Sequence, residues 1–404
     1  MSLPNLSIIP EQQNSRLPEW RVPLSELSMT DEEEVHNVAR VLRSRWWTSG
    51  PETEILEKEF AGYSGNRHAI AVTNGTAALH LAFLALRLSP GDEVVMPALN
   101  FVAAANAALH IGAAPRFADV DSVHAPVVSA ESLKKALTPK TRGLCVMHYA
   151  GYPCRMDRIM KLARRYNLWV IEDAAHAPGA VWKGMPCGRW GDIGCFSFFG
   201  NKNLTCAEGG MLTTEDDDFA AKLRLLRSHG MSSLTWDRFR GHSFSYDVTV
   251  PGFNYRMDDI RASLLRAQLR SLNRWNRLRK ERVEWYRQMI GEDPRWNIPF
   301  ADYGGAPAFH LFTVVLAEGI SRQDVMRFLK SRGVQTSIHY PPIHQFSYYR
   351  GLPHSHADLK NTEAVGRRIL TLPLFPNMTL EQVEFVCGSL REAVDRETGK
   401  AHGQ

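Results

Sequence analysis

Trp169-Val-Ile-Glu-Asp-Ala-Ala-His-Ala-Pro-Gly179 starts as a buried apolar strand and runs directly into two carboxylates. In an open α/β fold the C-terminal edge of such a strand is where ligands bind, which places Glu172 and Asp173 at a candidate site. An acid in that position calls for a cationic partner. The competing reading has one carboxylate capping the next segment while the other meets solvent.

Outward from this strand, β-rich runs alternate with helix-like segments, the pattern of an α/β domain with a mainly parallel sheet. The runs that read as strands are 69–72, 93–96, 114–117, 143–147, 169–172, 193–199 and 210–213. With helices such as 76–86 and 156–166 interleaved, a seven-stranded sheet sandwiched by helices is expected. Upstream, Thr30-x-x-Glu33 forms a capping box that opens a helix ending near Arg45, and residues 1–29 read as an arm. Downstream, Ile260, Leu264, Leu265, Leu269, Leu272, Trp275 and Leu278 recur at helical spacing, marking a long amphipathic helix from Asp258 to about Ile290. A smaller α+β region follows, with a strand at 309–317 and helices at 321–332 and 380–394. The expected division is an arm at 1–29, a large domain at 30–257 and a small domain at 258–404.

The composition excludes several classes. At 404 residues, 44% hydrophobic and 23% charged, the chain matches an ordinary globular protein of two or three domains. The net charge of +5 comes from scattered Lys and Arg, not from the concentrated stripe of a nucleic-acid binder. The densest basic run, from Arg274 to Arg282, reads as a solvated helix face. No apolar run is long enough for a membrane span, and no signal-peptide core precedes Arg21. The six cysteines form no CxxC pair, which fits a reducing cytoplasmic compartment. His354 and His356 stand alone without a third ligand, so no metal is expected.

Two further segments carry chemistry. In Gly194-Cys-Phe-Ser-Phe-Phe-Gly-Asn-Lys-Asn-Leu-Thr-Cys-Ala-Glu-Gly-Gly210, an apolar strand ends in a turn that presents Lys202. A lysine emerging from apolar surroundings is desolvated, which lowers its pKa and frees the amine as a nucleophile. A lone lysine is otherwise a surface charge, so the context has to decide. In Val72-Thr-Asn-Gly-Thr-Ala-Ala-Leu-His-Leu-Ala82, a tight turn opens a helix whose free N–H groups and dipole favour a phosphate, with Gly75 allowing close approach. Taken together, a lysine, an acid and an anion cup are what pyridoxal 5'-phosphate requires, and Ser197 can add a hydroxyl to the cup.

With these motifs the chain resembles the DegT/DnrJ family of pyridoxal-phosphate-dependent sugar aminotransferases, over the span from Trp47-Thr-Ser-Gly-Pro51 to Leu372-Pro-Leu-Phe-Pro376. The most specific pieces of the match are Glu172-Asp-Ala-Ala-His-Ala177, Ser197-Phe-Phe-Gly-Asn-Lys202 with Glu208-Gly-Gly210, Gly252-Phe-Asn-Tyr-Arg-Met257 and His339-Tyr-Pro-Pro-Ile-His344. The resemblance implies the fold type I architecture of aspartate aminotransferase, with Lys202 as the Schiff-base lysine and Asp173 as the partner of the pyridine nitrogen. It implies phosphate contacts from Gly75, Thr76 and Ser197, Phe101 stacked on the cofactor ring, and His176 beside it. Asn254 matches an asparagine that reaches the neighbouring subunit's phosphate, which implies a homodimer with shared sites. His339, Tyr340 and His344 resemble a substrate-facing loop.

Three positions depart from the family's commonest residues: His176 for Gln, Asn100 for Thr and Ala207 for Gly. The implied reaction is transamination in two half-reactions, from an amino donor such as glutamate to a keto-sugar, most simply a nucleotide-linked one. A cyclitol ketone is the alternative acceptor. The related dehydratases replace the lysine, which this chain keeps at Lys202, and a noncatalytic cofactor-binding regulator is the alternative of another class.

Overall fold

The computed structural model describes residues 20–27, 32–233, 236, 239, 241, 245–352 and 358–401. Thr30 of the expected capping box, most of the expected arm, His354 and His356 lie outside these residues.

The strands of the central sheet are β1 (His68–Val72), β2 (Glu93–Pro97), β3 (Ala114–Ala118), β4 (Thr141–Met147), β5 (Trp169–Asp173), β6 (Ile193–Ser197) and β7 (Gly210–Thr214). Their spatial order is β1-β7-β6-β5-β4-β2-β3, a seven-stranded sheet. Within it β7 runs against the others, pairing antiparallel with both β1 and β6. The strands are apolar on both faces, as a sheet covered on both sides by helices requires. All seven expected strands are found within a residue or two of the sequence reading; β6 ends two residues early, at Ser197, where the chain turns toward Lys202.

Among the helices, α1 (Pro51–Ser64) is not expected from the sequence. Helix α2 (Gly75–Ala85) follows β1, and α3 (Asp259–Ile290) is the expected long helix. Beyond α3, β8 (Trp296–Asn297), β9 (Phe312–Leu316) and β10 (Ile369–Leu372) form a small antiparallel sheet. The expected strand at 309–317 therefore begins later, because the preceding main chain is committed elsewhere. Ala308 N donates to Gly151 O and His310 N to Ala150 O, both at 2.9 Å, in the turn that follows β4. The last helix, Leu380–Ala401, also runs past the expected end. Near the N-terminus, Val22 bonds to Gly333 and Gln335, and Leu24 O accepts from Leu374 N, so the described part of the arm lies along the C-terminal region.

One carboxylate accounts for the unexpected helix. Asp259 is buried at the start of α3, and it accepts from Gly50 N at 2.8 Å, Glu52 N and Thr53 N at 3.1 Å, and Thr53 Oγ1 at 2.7 Å. It therefore caps α1, satisfying amides that a helix start leaves open. Burial raises its carboxyl above the ordinary value, and these donors work against that rise. Asp259→Ala is expected to lose about 2–4 kcal/mol of stability, since hydrogen bonds to a charged acceptor are among the stronger ones. Denaturant unfolding checks this, and a loss below about 0.5 kcal/mol, the usual surface range, contradicts it.

All six cysteines are buried and unpaired. Among the described residues, no helix is long and apolar enough to cross a membrane.

Candidate active site

At the C-terminal ends of β4, β5 and β6 opens a cavity of about 610 Å³. It collects nearly every residue singled out in the sequence: Gly75, Thr76, Phe101, Asp173, His176, Ser197, Lys202, His339 and Tyr340. Two stand apart. Asn254 is exposed on this chain and bridges to Ser228, and His344 turns away to Glu363 at 3.2 Å. His344 thus has a carboxylate partner outside the cavity, contrary to the expectation that it faces substrate. The expected loop beyond Gln345 lies partly outside the described residues.

Asp173 ends β5 and is 5% exposed. Its carboxylate accepts from Asn100 Nδ2 at 3.3 Å and from Ala175 N at 3.2 Å. Burial raises its pKa first of all, while Asn100, the Ala175 amide, Lys202 and His148 pull it back. Asn100, noted in the sequence only as a departure from the usual residue, proves to be the side chain that orients the acid.

Glu172, its neighbour, has a different task. It is fully buried, takes Gly188 N and His148 Nε2 on one oxygen, both at 2.9 Å, and Trp190 N and Gly191 N on the other, at 2.7 and 2.8 Å. Neither carboxylate meets solvent, which corrects the competing reading of this strand. His148, Glu172 and Cys187 converge within 4.8 Å. Yet His148 Nδ1 already accepts from Cys154 N at 3.0 Å and both Glu172 oxygens are taken, so the cluster is a hydrogen-bonded node.

Lys202 follows the turn after β6, its N–H bonded to Phe199 O at 2.9 Å. Burial lowers its pKa to about 8, with the Asp173 charge opposing the fall. A sizeable share of neutral amine is therefore present near pH 8. Three histidines surround it, and each is held neutral by its environment. Burial pushes His176 and His310 well below the ordinary imidazole value and His339 down to about 4, and the Lys202 charge adds to each shift.

The far end of the cavity is the start of α2. Asn74 caps it, its Oδ1 accepting from Ala77 N at 2.8 Å, which leaves the first amides, at Gly75 and Thr76, without intrahelical acceptors. A Cβ on Gly75 would stand 2.8 Å from Ser197 Cβ and 3.2 Å from its Oγ. His80, Tyr255 and Glu208 also line the cavity; in the sequence they stand only inside the quoted motifs, with no site role given to them. His80 Nδ1 and Tyr255 Oη lie 3.2 Å apart, a pairing across 175 residues that no local pattern reveals.

A lysine, an acid and a helix N-terminus at one end of a mostly parallel sheet define an enzyme of the aminotransferase class. The chain belongs to the DegT/DnrJ/EryC1/StrS aminotransferase family, whose model matches residues 28–391. It is 37% identical over 374 residues to the spore coat polysaccharide biosynthesis protein SpsC of Bacillus subtilis (strain 168), covering 91% of this chain and 96% of that one. Among solved structures it resembles DesI, crystallised in the presence of its TDP-sugar product, with a TM-score of 0.85 and 30% identity over 96% of each chain. It also resembles the PLP-form of Spr1654 from Streptococcus pneumoniae, a sugar aminotransferase by its description, with a TM-score of 0.85 and 26% identity. That similarity covers 93% of this chain and 99% of the other.

The enzyme is thus a pyridoxal-phosphate-dependent aminotransferase, and the residues present fit the cofactor. His176 Nδ1 is buried in the cavity wall without a hydrogen-bond partner, while its Nε2 meets Tyr340 Oη at 2.9 Å. Such an orphan is costly unless a ligand supplies its partner. Gly75 packs against Ser197 so closely that a Cβ would clash, which keeps the Ser197 hydroxyl beside the open amides of the α2 start, the donor set a phosphate takes. Gly75→Ala is therefore expected to weaken cofactor binding at least about tenfold, the cost of one hydrogen bond to a charged group. Titration of the cofactor-free protein checks this, and an unchanged Kd contradicts it.

Proposed function

We propose that the enzyme moves an amino group from an amino acid, glutamate by preference, to the ketone of a nucleotide-linked sugar. One observation carries the assignment of roles: Lys202, desolvated to a pKa of about 8, shares a cavity with buried Asp173 and the open start of α2. The nucleotide-linked acceptor is supported by DesI, whose structure was obtained with a TDP-sugar product, and by SpsC, a polysaccharide biosynthesis protein.

In this reading Gly75, Thr76 and Ser197 would hold the phosphate, Asp173 the pyridine nitrogen, His176 a polar ring substituent, and Phe101 one ring face. When bound, the cofactor supplies an electrophilic carbon for the amine and a ring that takes up an electron pair. Lys202 Nζ, its pKa lowered by burial to about 8, takes the proton from the donor Cα and returns it in the opposite sense during amination of the ketone. Asp173, pinned by Asn100 and Ala175, would hold a proton on the ring nitrogen. His339 and Tyr340 border the space left for substrate, and Tyr340 is held there by His176. Asn254, exposed and outside its own cavity, is assigned to the site of a second copy in a homodimer. The division into an arm (1–29), a cofactor-binding domain (30–257) and a small domain (258–404) belongs to the same reading, as does action in the cytoplasm.

The test is to load the enzyme with the aminated cofactor and add nucleotide-linked keto-sugars and free cyclitol ketones in parallel. Return of the aldehyde-form absorbance with the nucleotide-linked sugars is expected. Return with cyclitol ketones alone sinks the nucleotide-sugar assignment and keeps the aminotransferase.

A further inference from the structure

The residue after the reacting lysine is more tightly held than a loop residue needs to be. Asn203 is 4% exposed, and every polar atom of its side chain is used. Its Nδ2 donates to Asn276 Oδ1 at 2.9 Å, on α3, and to Ala308 O at 2.7 Å. Its Oδ1 faces His310 Nδ1 at 3.0 Å. The direction of each bond is set by the ends of the chain of contacts. Asn276 Nδ2 donates to the Pro178 carbonyl at 3.0 Å, so Asn276 Oδ1 must accept. Asn203 Nδ2 therefore donates twice, Asn203 Oδ1 accepts, and the proton of His310 sits on Nδ1.

His310 is itself fixed on two sides. Its N–H bonds to Ala150 O at 2.9 Å, and its ring lies against that of His176 at a centroid distance of 4.2 Å. The segment rests so closely on the turn after β4 that a Cβ on Gly151, at φ +89°, would come within 2.9 Å of His176 O, His310 N and Phe309 N. One imidazole thus ties the loop of Lys202 to the turn after β4 and to the His176 ring just beyond Asp173.

We propose that His310 is a positioning residue for Lys202, acting through Nδ1 on Asn203. It sets where the amine stands relative to Asp173 and touches no reacting atom. The inference rests on Lys202 being the reacting lysine.

Two replacements separate the atom from the bulk. An asparagine at 310 can place an N–H where Nδ1 stands, whereas a glutamine reaches toward the position of Nε2. His310→Asn is expected to keep kcat within a fewfold of wild type and to keep amide-exchange protection of residues 199–206 in the cofactor-free protein. His310→Gln is expected to lose that protection, and kcat by roughly 10²-fold with KM for the ketone little changed, since a misplacement of about 1 Å in a reacting group costs that much. Identical behaviour of the two variants, whether both intact or both impaired, overturns the proposal. Borohydride labelling of the same samples keeps the failures apart: label on another lysine overturns the role of Lys202, and label on Lys202 with matching variants overturns only the role of His310.

Discussion

Lys202→Ala is expected to lower the transamination rate by at least about 10⁴-fold, the upper end for removal of a group that moves protons in the rate-determining chemistry. The size reflects the surroundings. Among the described residues no other lysine lines the cavity, and of the two histidines nearest Lys202 in its wall, His176 Nε2 is held by Tyr340 and His339 Nδ1 by Thr371. A residual rate within tenfold of wild type, measured in single turnovers with both half-reactions followed separately, contradicts the assignment.

The burial that activates this lysine also has a cost in stability, with a definite sign. In the unfolded chain a lysine titrates near 10.4, whereas in the cofactor-free fold Lys202 titrates at about 8. Between those values the unfolded state binds the extra proton, so stability rises with pH across that window. Lys202→Met removes this component, and the difference between the two stability profiles from pH 7 to 10 reads it directly. A flat difference argues that the amine is not desolvated.

Asp173→Asn is expected to cost on the order of 10²–10³-fold in kcat, the range for one preorganised electrostatic group in a water-poor site. The amide keeps the shape and the contact with Ala175 N but carries no charge to hold a proton on the ring nitrogen. It also removes the charge that supports the Lys202 ammonium, so burial acts alone and the lysine pKa falls below about 8. The variant should therefore pair a lower kcat with a Lys202 titration displaced to lower pH. A loss of kcat without that displacement would mean that the two groups do not sense each other across the cavity.

How much of the fold and the site is legible in the sequence depends on the range of the interaction. The seven strands and the long helix are readable because their signals are periodic and local: apolar runs for strands buried on both faces, and spacing of three and four along α3. Asp173 and Gly75 are readable because each ends or begins such an element, and Lys202 because it lies in the turn that follows one. The helix Pro51–Ser64 is not, since its cap is Asp259, more than 200 residues away, and its own residues alternate acid and apolar without a clear stripe. Glu172 is ambiguous for a related reason. Its partners are three backbone amides at 188–191 and a histidine at 148, none of which has a sequence signature. His310 carries no signal at all, because its meaning comes from Asn203, 107 residues earlier. His344 shows the opposite error: a motif places it near the substrate, but the local turn directs it to Glu363.

The central claim is that Lys202 is the residue that bonds the cofactor. Borohydride reduction of the holoenzyme, followed by proteolysis and peptide mass spectrometry, tests it most directly. The account requires the phosphopyridoxyl group on the peptide containing Lys202 and on no other. Recovery of the label on a different lysine, or of unlabelled Lys202 from fully reduced enzyme, would contradict it.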